Sequence, residues 1–233
     1  MEKSEFLLAA KNGDLEAVKK FVNAKVDIDE VNSSGASALI LASEKNHFEV
    51  VKFLVEAGAN LNLATKMGGT ALNKAAENGN IEMMNYLFDK GVEIGDLALI
   101  VAARTGNLEA VKLLIEKGAD VDAEQRWGHT ALMLAAKNGH HMVVKHLIAC
   151  GADVKKRDKN GDTAMMIATE NENDDIAIML QRAGAVAEVK APKEKPAPVV
   201  IEDDDDEDDE IDDTADVDDL VSGDEAPDEI DLD

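Results

Sequence analysis

The sequence predicts an all-α fold, a solenoid of helix-turn-helix units joined by short hairpin connectors, followed by a disordered acidic tail. Three observations carry this. First, near-identical phrases return at a fixed interval: "SALILASEKNHFEVVKFLVEAGANLN" from Ser37, "TALNKAAENGNIEMMNYLFDKGVEI" from Thr70, "LALIVAARTGNLEAVKLLIEKGADVD" from Leu97, "TALMLAAKNGHHMVVKHLIACGADVK" from Thr130 and "TAMMIATENENDDIAIMLQRAGA" from Thr163. An earlier copy starts at Ser4, so the intervals are 33, 33, 27, 33 and 33 residues, a period that means stacked repeats. Second, each copy has helical periodicity broken by glycine. Third, the net charge of −25 is concentrated in residues 191–233, which hold 21 acidic side chains and 2 lysines.

Each copy reads as two short helices and a turn. Leu132, Ala135 and Ala136 share one helical face at spacings of three and four. Gly139 then ends the helix where a left-handed residue is wanted. Asp14, Asn80 and Asn107 are placed to cap the second helix, with Glu16, Glu82 and Glu109 in its first turn. That helix carries apolar residues such as Val111, Leu114 and Ile115, and Gly118 closes it. The polar stretches "VDAEQRWG" and "VKKRDKNG" lead to the next copy with hairpin chemistry. The 27-residue interval falls in such a connector: Thr130 comes twelve positions after Gly118, but Leu97 only six after Gly91. A hairpin tip is missing between the third and fourth repeats, while the helices on both sides are complete. Loop tips contribute little to a core, so the stack should run through the skip, with Ile94 packing in the register of Val121. The row of fingers is then split, two before the gap and two after it.

The phrases "TALMLAAKNG" and "KGADVD" resemble the ankyrin repeat, over residues 4 to about 188. The family's Pro and His in its opening phrase are absent; Ala71, Ala131 and Ala164 take the Pro position, and alanine is the best helix former. Lys25, Asn46 and Glu172 replace glycines expected to be left-handed, at roughly 1–2 kcal/mol each and less for Asn, so the first and last repeats should be the softest. The resemblance implies binding to other proteins through hairpin tips and first helices. The candidate contacts are Lys66, Met67, Arg126, Trp127, His129, Lys137, Asn138, Lys159 and Asn160. Trp127 is the sole tryptophan and lies beside Arg126, and both residue types are enriched at binding hot spots. It could equally pack on the adjacent hairpin. Lys66, Arg126, Lys137, Lys155, Lys156, Arg157 and Lys159 make this face locally basic and attractive to an acidic partner.

No phosphate loop, nucleophile motif or catalytic carboxylate pair stands out, so no enzyme, cofactor or metal is expected. His141 and His146 are five apart and do not share a helical face. Cys150 alone suits a reducing compartment, and Met83, Met84, Met165 and Met166 read as core filler. The N-terminal stretch has no signal-peptide pattern, and no apolar run is long enough to span a bilayer. A monomer of the cytoplasm, or of cytoplasm and nucleus, is expected.

Residues 189–198 read as a proline-containing linker. Residues 199–233 hold 20 acidic residues and no basic one, a composition that cannot fold alone and would repel nucleic acid. Within it, Val199, Val200, Ile201, Glu202 and Asp203 resemble a SUMO-interacting motif, and Ser222 resembles an acidic-directed phosphorylation site. The expected function is non-catalytic protein binding as an adaptor or scaffold. Alternatives are an escort for a basic client, such as a ribosomal protein or histone held by the tail, and a regulatory or inhibitory subunit of an enzyme.

Overall fold

The computed structural model describes residues 2–185, with side chains from Glu5 onward. The linker and acidic tail, with Val199, Val200, Ile201, Glu202, Asp203 and Ser222, lie outside the described residues.

Twelve helices form six pairs among the described residues. They are α1 (Glu2–Asn12) and α2 (Leu15–Asn23), α3 (Ala38–Glu44) and α4 (Phe48–Glu56), α5 (Ala71–Glu77) and α6 (Ile81–Asp89), α7 (Leu97–Thr105) and α8 (Leu108–Glu116), α9 (Ala131–Lys137) and α10 (His141–Ala149), and α11 (Ala164–Glu170) and α12 (Asp174–Arg182). The odd-numbered helices pack in sequence, α1 on α3 through to α9 on α11, more closely than the even-numbered ones. Alanine explains the difference. Ala42, Ala75, Ala76, Ala102, Ala103, Ala135, Ala136 and Ala168 have no exposed surface, and their small side chains let the first helices approach.

Two rows of large side chains fill the space between. Leu54, Leu87, Leu114, Leu147 and Leu180 are fully buried on the second helices, and Leu39, Leu72, Leu99 and Leu132 nearly so on the first. Burying one such side chain contributes about 1.5–3 kcal/mol. In the first repeat both positions are aromatic: Phe6 and Phe21 meet edge to face with centroids 6.0 Å apart. Met83 and Met84 are fully buried filler as expected, whereas Met165 and Met166 are only partly buried in the last repeat.

Ser37, Thr70, Thr130 and Thr163 cap α3, α5, α9 and α11 by accepting a hydrogen bond from the backbone three residues on. Lys25, Asn46 and Glu172 are left-handed, with φ of 63°, 63° and 60°, as their places in the repeat predict. One expected cap differs. Asp14 and Asn80 cap their helices through Ala17 N–H and Met83 N–H, but Asn107 does not cap α8. Its Nδ2 donates instead to the carbonyls of Ala76 and Glu77, at 3.1 and 2.7 Å. His47, His140 and Asn173 do the same, reaching Lys11 O, Arg104 O, and Ala136 and Lys137 O. Each satisfies the open carbonyls at the end of the preceding repeat's first helix.

The stack continues through the short interval. Here α7 packs on both α5 and α9, and Ile94, like Val121, packs against the core. The connector runs only from Lys90 to Asp96, and Leu97 takes the place of the capping Thr or Ser. Helix α7 therefore starts without a side-chain cap, at Asp96 in right-handed α conformation. Loss of the tip removes the cap along with it.

Candidate protein-binding edge

Among the described residues, four hairpin fingers stand along one edge, at 31–37, 64–70, 124–130 and 157–163. Each is a β-turn whose first carbonyl accepts from a glycine three residues on: Asn32 from Gly35, Thr65 from Gly68, Gln125 from Gly128 and Asp158 from Gly161. Asn, Thr and Asp at the first position also brace the turn: Asn32 Oδ1 accepts from Ser34 N–H, Thr65 Oγ1 from Gly69 N–H, and Asp158 Oδ1 from Asn160 and Asp162 N–H.

Neighbouring fingers are joined by backbone. Lys66 N–H donates to Ser34 O at 2.9 Å, linking the first two, and Lys159 N–H donates to Trp127 O at 3.1 Å, linking the last two. Glycine is required for this approach. A Cβ on Gly128 would stand 3.1 Å from Lys159 N, and the residue's φ is +78°. A second ladder runs below the fingers, where Asp29, Asn62 and Asp122 side chains accept from the N–H groups of Asn60, Glu93 and Asp153.

The missing finger interrupts both ladders. Among the described residues, Met67 O accepts nothing and Arg126 N–H donates to nothing. Gly95 stands where Asp29, Asn62 and Asp122 supply an acceptor, and Asp120 N–H makes no hydrogen bond among the described residues. A cleft of about 180 Å³ opens there, lined by Ile94, Gly95, Asp96, Leu99, Gly118, Ala119, Asp120 and Ala123. The split row inferred from the sequence is thus two backbone-paired sets of fingers with a slot between them.

The candidate residues fall into three groups. Lys66 and Met67 form the second finger's tip, Arg126 and Trp127 the third's, and Lys159 and Asn160 the fourth's; all six are exposed. Met67 is 82% and Trp127 60% exposed, so Trp127 projects from its finger rather than burying itself against the next. The Arg126 guanidinium lies 5.6 Å from the Trp127 ring centroid, within cation–π range. Lys137 and Asn138 are also exposed, at the end of α9, and Asn138 Nδ2 is engaged with Arg104 O and Leu134 O.

His129 belongs to a different class. Its Nδ1 lies 3.0 Å from Gln125 Nε2 and its Nε2 3.1 Å from Asp158 Oδ2, so the ring ties the third finger to the fourth. Burial opposes charge on Asp158, but the Asp162 and Asn160 N–H groups and His129 outweigh it. They hold the carboxyl below its ordinary range.

The basic character is narrower than composition implies. Lys156 is paired with Glu124 at 2.8 Å, and Arg157 donates to Gly161 O. Arg104 and Lys74 are both taken by Glu77, at 2.6 and 2.9 Å. Among the described residues, Lys66, Arg126, Lys137 and Lys159 form no ion pair. The His129–Asp158 bond has a faint sequence signal in the "DKNG" turn; the inter-repeat carbonyl ladder could have been read from Asn or His recurring before every second helix from α4 onward.

This architecture is that of a helical repeat protein with a row of hairpin fingers along one edge. The family model for ankyrin repeats (three copies) matches residues 6–98 and again 99–191, and the chain belongs to that family. Ankyrin repeats are protein–protein interaction modules. A search of curated proteins gives no match. Among solved structures, the crystal structure of the human ASB11 ankyrin repeat domain is similar, with 26% identity and a TM-score of 0.71 over 82% of this chain and 88% of that one.

Proposed function

We propose that this protein is a non-catalytic adaptor that holds an acidic protein segment on its third and fourth fingers. The observation that carries the reading is the joint exposure of Trp127 and Arg126 beside the unpaired Lys159, on fingers made rigid by the His129–Asp158 bond. An exposed aromatic anchor ringed by free cations is the composition of a binding hot spot for acidic sequence. Pull-downs with the full chain and with Trp127→Ala, across a salt series, test it. Loss of the captured partners in the variant supports the reading, and capture equal to the wild type overturns it.

The acidic run of 199–233 supports a second role, as escort of a basic client. A chain ending near residue 190 separates the two. Basic proteins captured at low salt by the full chain alone would belong to the tail, and partners that survive truncation but not Trp127→Ala would belong to the fingers.

A further inference from the structure

We infer that the slot left by the missing finger is a docking site for a β-turn of a partner protein, one that bears acidic residues at its tip and an asparagine at its base. The inference rests on the protein-binding reading above and assigns it a second contact point. Unpaired finger groups are ordinary at the two ends of such a row. Here a complementary pair stands in the middle: the Met67 carbonyl on the second finger and the Arg126 N–H on the third.

The groups that an absent finger would have satisfied define what fits. In both intact pairs, the earlier finger accepts at the carbonyl before its glycine, as Trp127 O does, and the later finger donates from the N–H two residues before its own glycine, as Lys159 does. A turn entering the slot would give its N–H to Met67 O and its carbonyl to Arg126 N–H. At the floor, Asp120 N–H lacks the acceptor that Asp29, Asn62 and Asp122 provide elsewhere and Gly95 cannot.

Charge selects the occupant. Lys66 and Arg126, exposed and without an ion pair among the described residues, stand on the two bordering tips and favour acids there. The floor is lined by Asp96 and Asp120, which disfavour a second carboxylate and favour a neutral carboxamide. Ile94, Leu99 and Ala123 give the cleft an apolar side for the turn's flanking residue.

The test is NMR titration of the full chain with a cyclised turn peptide, two aspartates at its tip and one asparagine at its base, and with a twin in which the aspartates are lysines. The expected result is a shift of the Asp120 and Arg126 backbone amides, with the lysine twin at least tenfold weaker. Inserting six residues between Gly95 and Asp96 restores the 33-residue interval, fills the slot and should weaken the peptide at least tenfold. Arg126→Pro removes the N–H at a turn position that proline accepts, and should bind at least tenfold more weakly than Arg126→Ala. No shift at Asp120 and Arg126, or undiminished binding to the filled variant, would overturn the proposal. Shifts confined to Lys159 and Asn160 would overturn the slot and leave the finger-tip reading standing. Concentration-dependent shifts without peptide would assign the slot to a second copy, and tighter binding of a peptide of residues 201–213 would assign it to this chain's own sequence; either overturns the partner assignment.

Discussion

His129 Nε2 lies 3.1 Å from Asp158 Oδ2, and this bond fastens the finger that carries Trp127 to the one that carries Lys159. Because Asp158 also accepts from Asn160 and Asp162, one buried carboxylate holds its own turn and its neighbour's.

Asp158 makes the last fingers acid-sensitive. A carboxyl whose folded pKa is depressed stabilises the fold above its unfolded value, and that contribution is lost as pH falls through the folded value. Asp158→Asn should cost about 1–3 kcal/mol at neutral pH, from lost charge-assisted hydrogen bonds. The gap between wild type and variant, measured by urea unfolding, should narrow below about pH 4, the ordinary range for aspartate. A gap independent of pH would show that the carboxylate charge is not what holds the fingers.

Lys25 and Glu172 sit in left-handed backbone with exposed side chains. Lys25→Gly and Glu172→Gly should each raise stability by up to about 1–2 kcal/mol, with Asn46→Gly closer to neutral. Because Lys25 and Glu172 lie in the first and last repeats, hydrogen exchange should slow there first in those two variants.

Gly128→Ala should act in the opposite sense. Its Cβ would meet Lys159 N at 3.1 Å in a backbone region that L side chains avoid, so the variant should lose the link between the last two fingers. The measurable signs are faster exchange of the Lys159 amide and a less rigid Trp127 by fluorescence anisotropy.

Trp127 separates binding from folding. The side chain is 60% exposed, so Trp127→Ala should change stability by no more than about 0.5 kcal/mol. Partner affinity should drop by about 2 kcal/mol, or roughly thirtyfold, if the residue is an anchor. Wild-type fluorescence should be red-shifted, readily quenched by acrylamide and protected when a partner binds.

The stack should unfold as one unit through the skip, because α7 packs on both neighbours despite its short connector. Leu87→Ala and Leu114→Ala, fully buried on either side of it, should each cost roughly 2–5 kcal/mol without splitting the transition. Two separated transitions in calorimetry would show that the missing finger uncouples the halves.

The sequence by itself determined everything that depends on spacing and on one residue's backbone preference. The 33-residue beat placed the helix pairs, the glycine positions marked Lys25, Asn46 and Glu172 as left-handed, and the short interval at Gly91–Leu97 located the missing finger. Only the tertiary structure decided which side chains remain free. Lys156 and Arg104 look as available in sequence as Lys159, yet Glu124 takes one and Glu77, 27 residues away, takes the other. Asn107 has the residue type of a helix cap, but carbonyls of the preceding repeat lie within reach and are left open, so its amide turns to them. Spacing dictates where a side chain starts; the groups that stacking brings within hydrogen-bond reach of its tip dictate what it does.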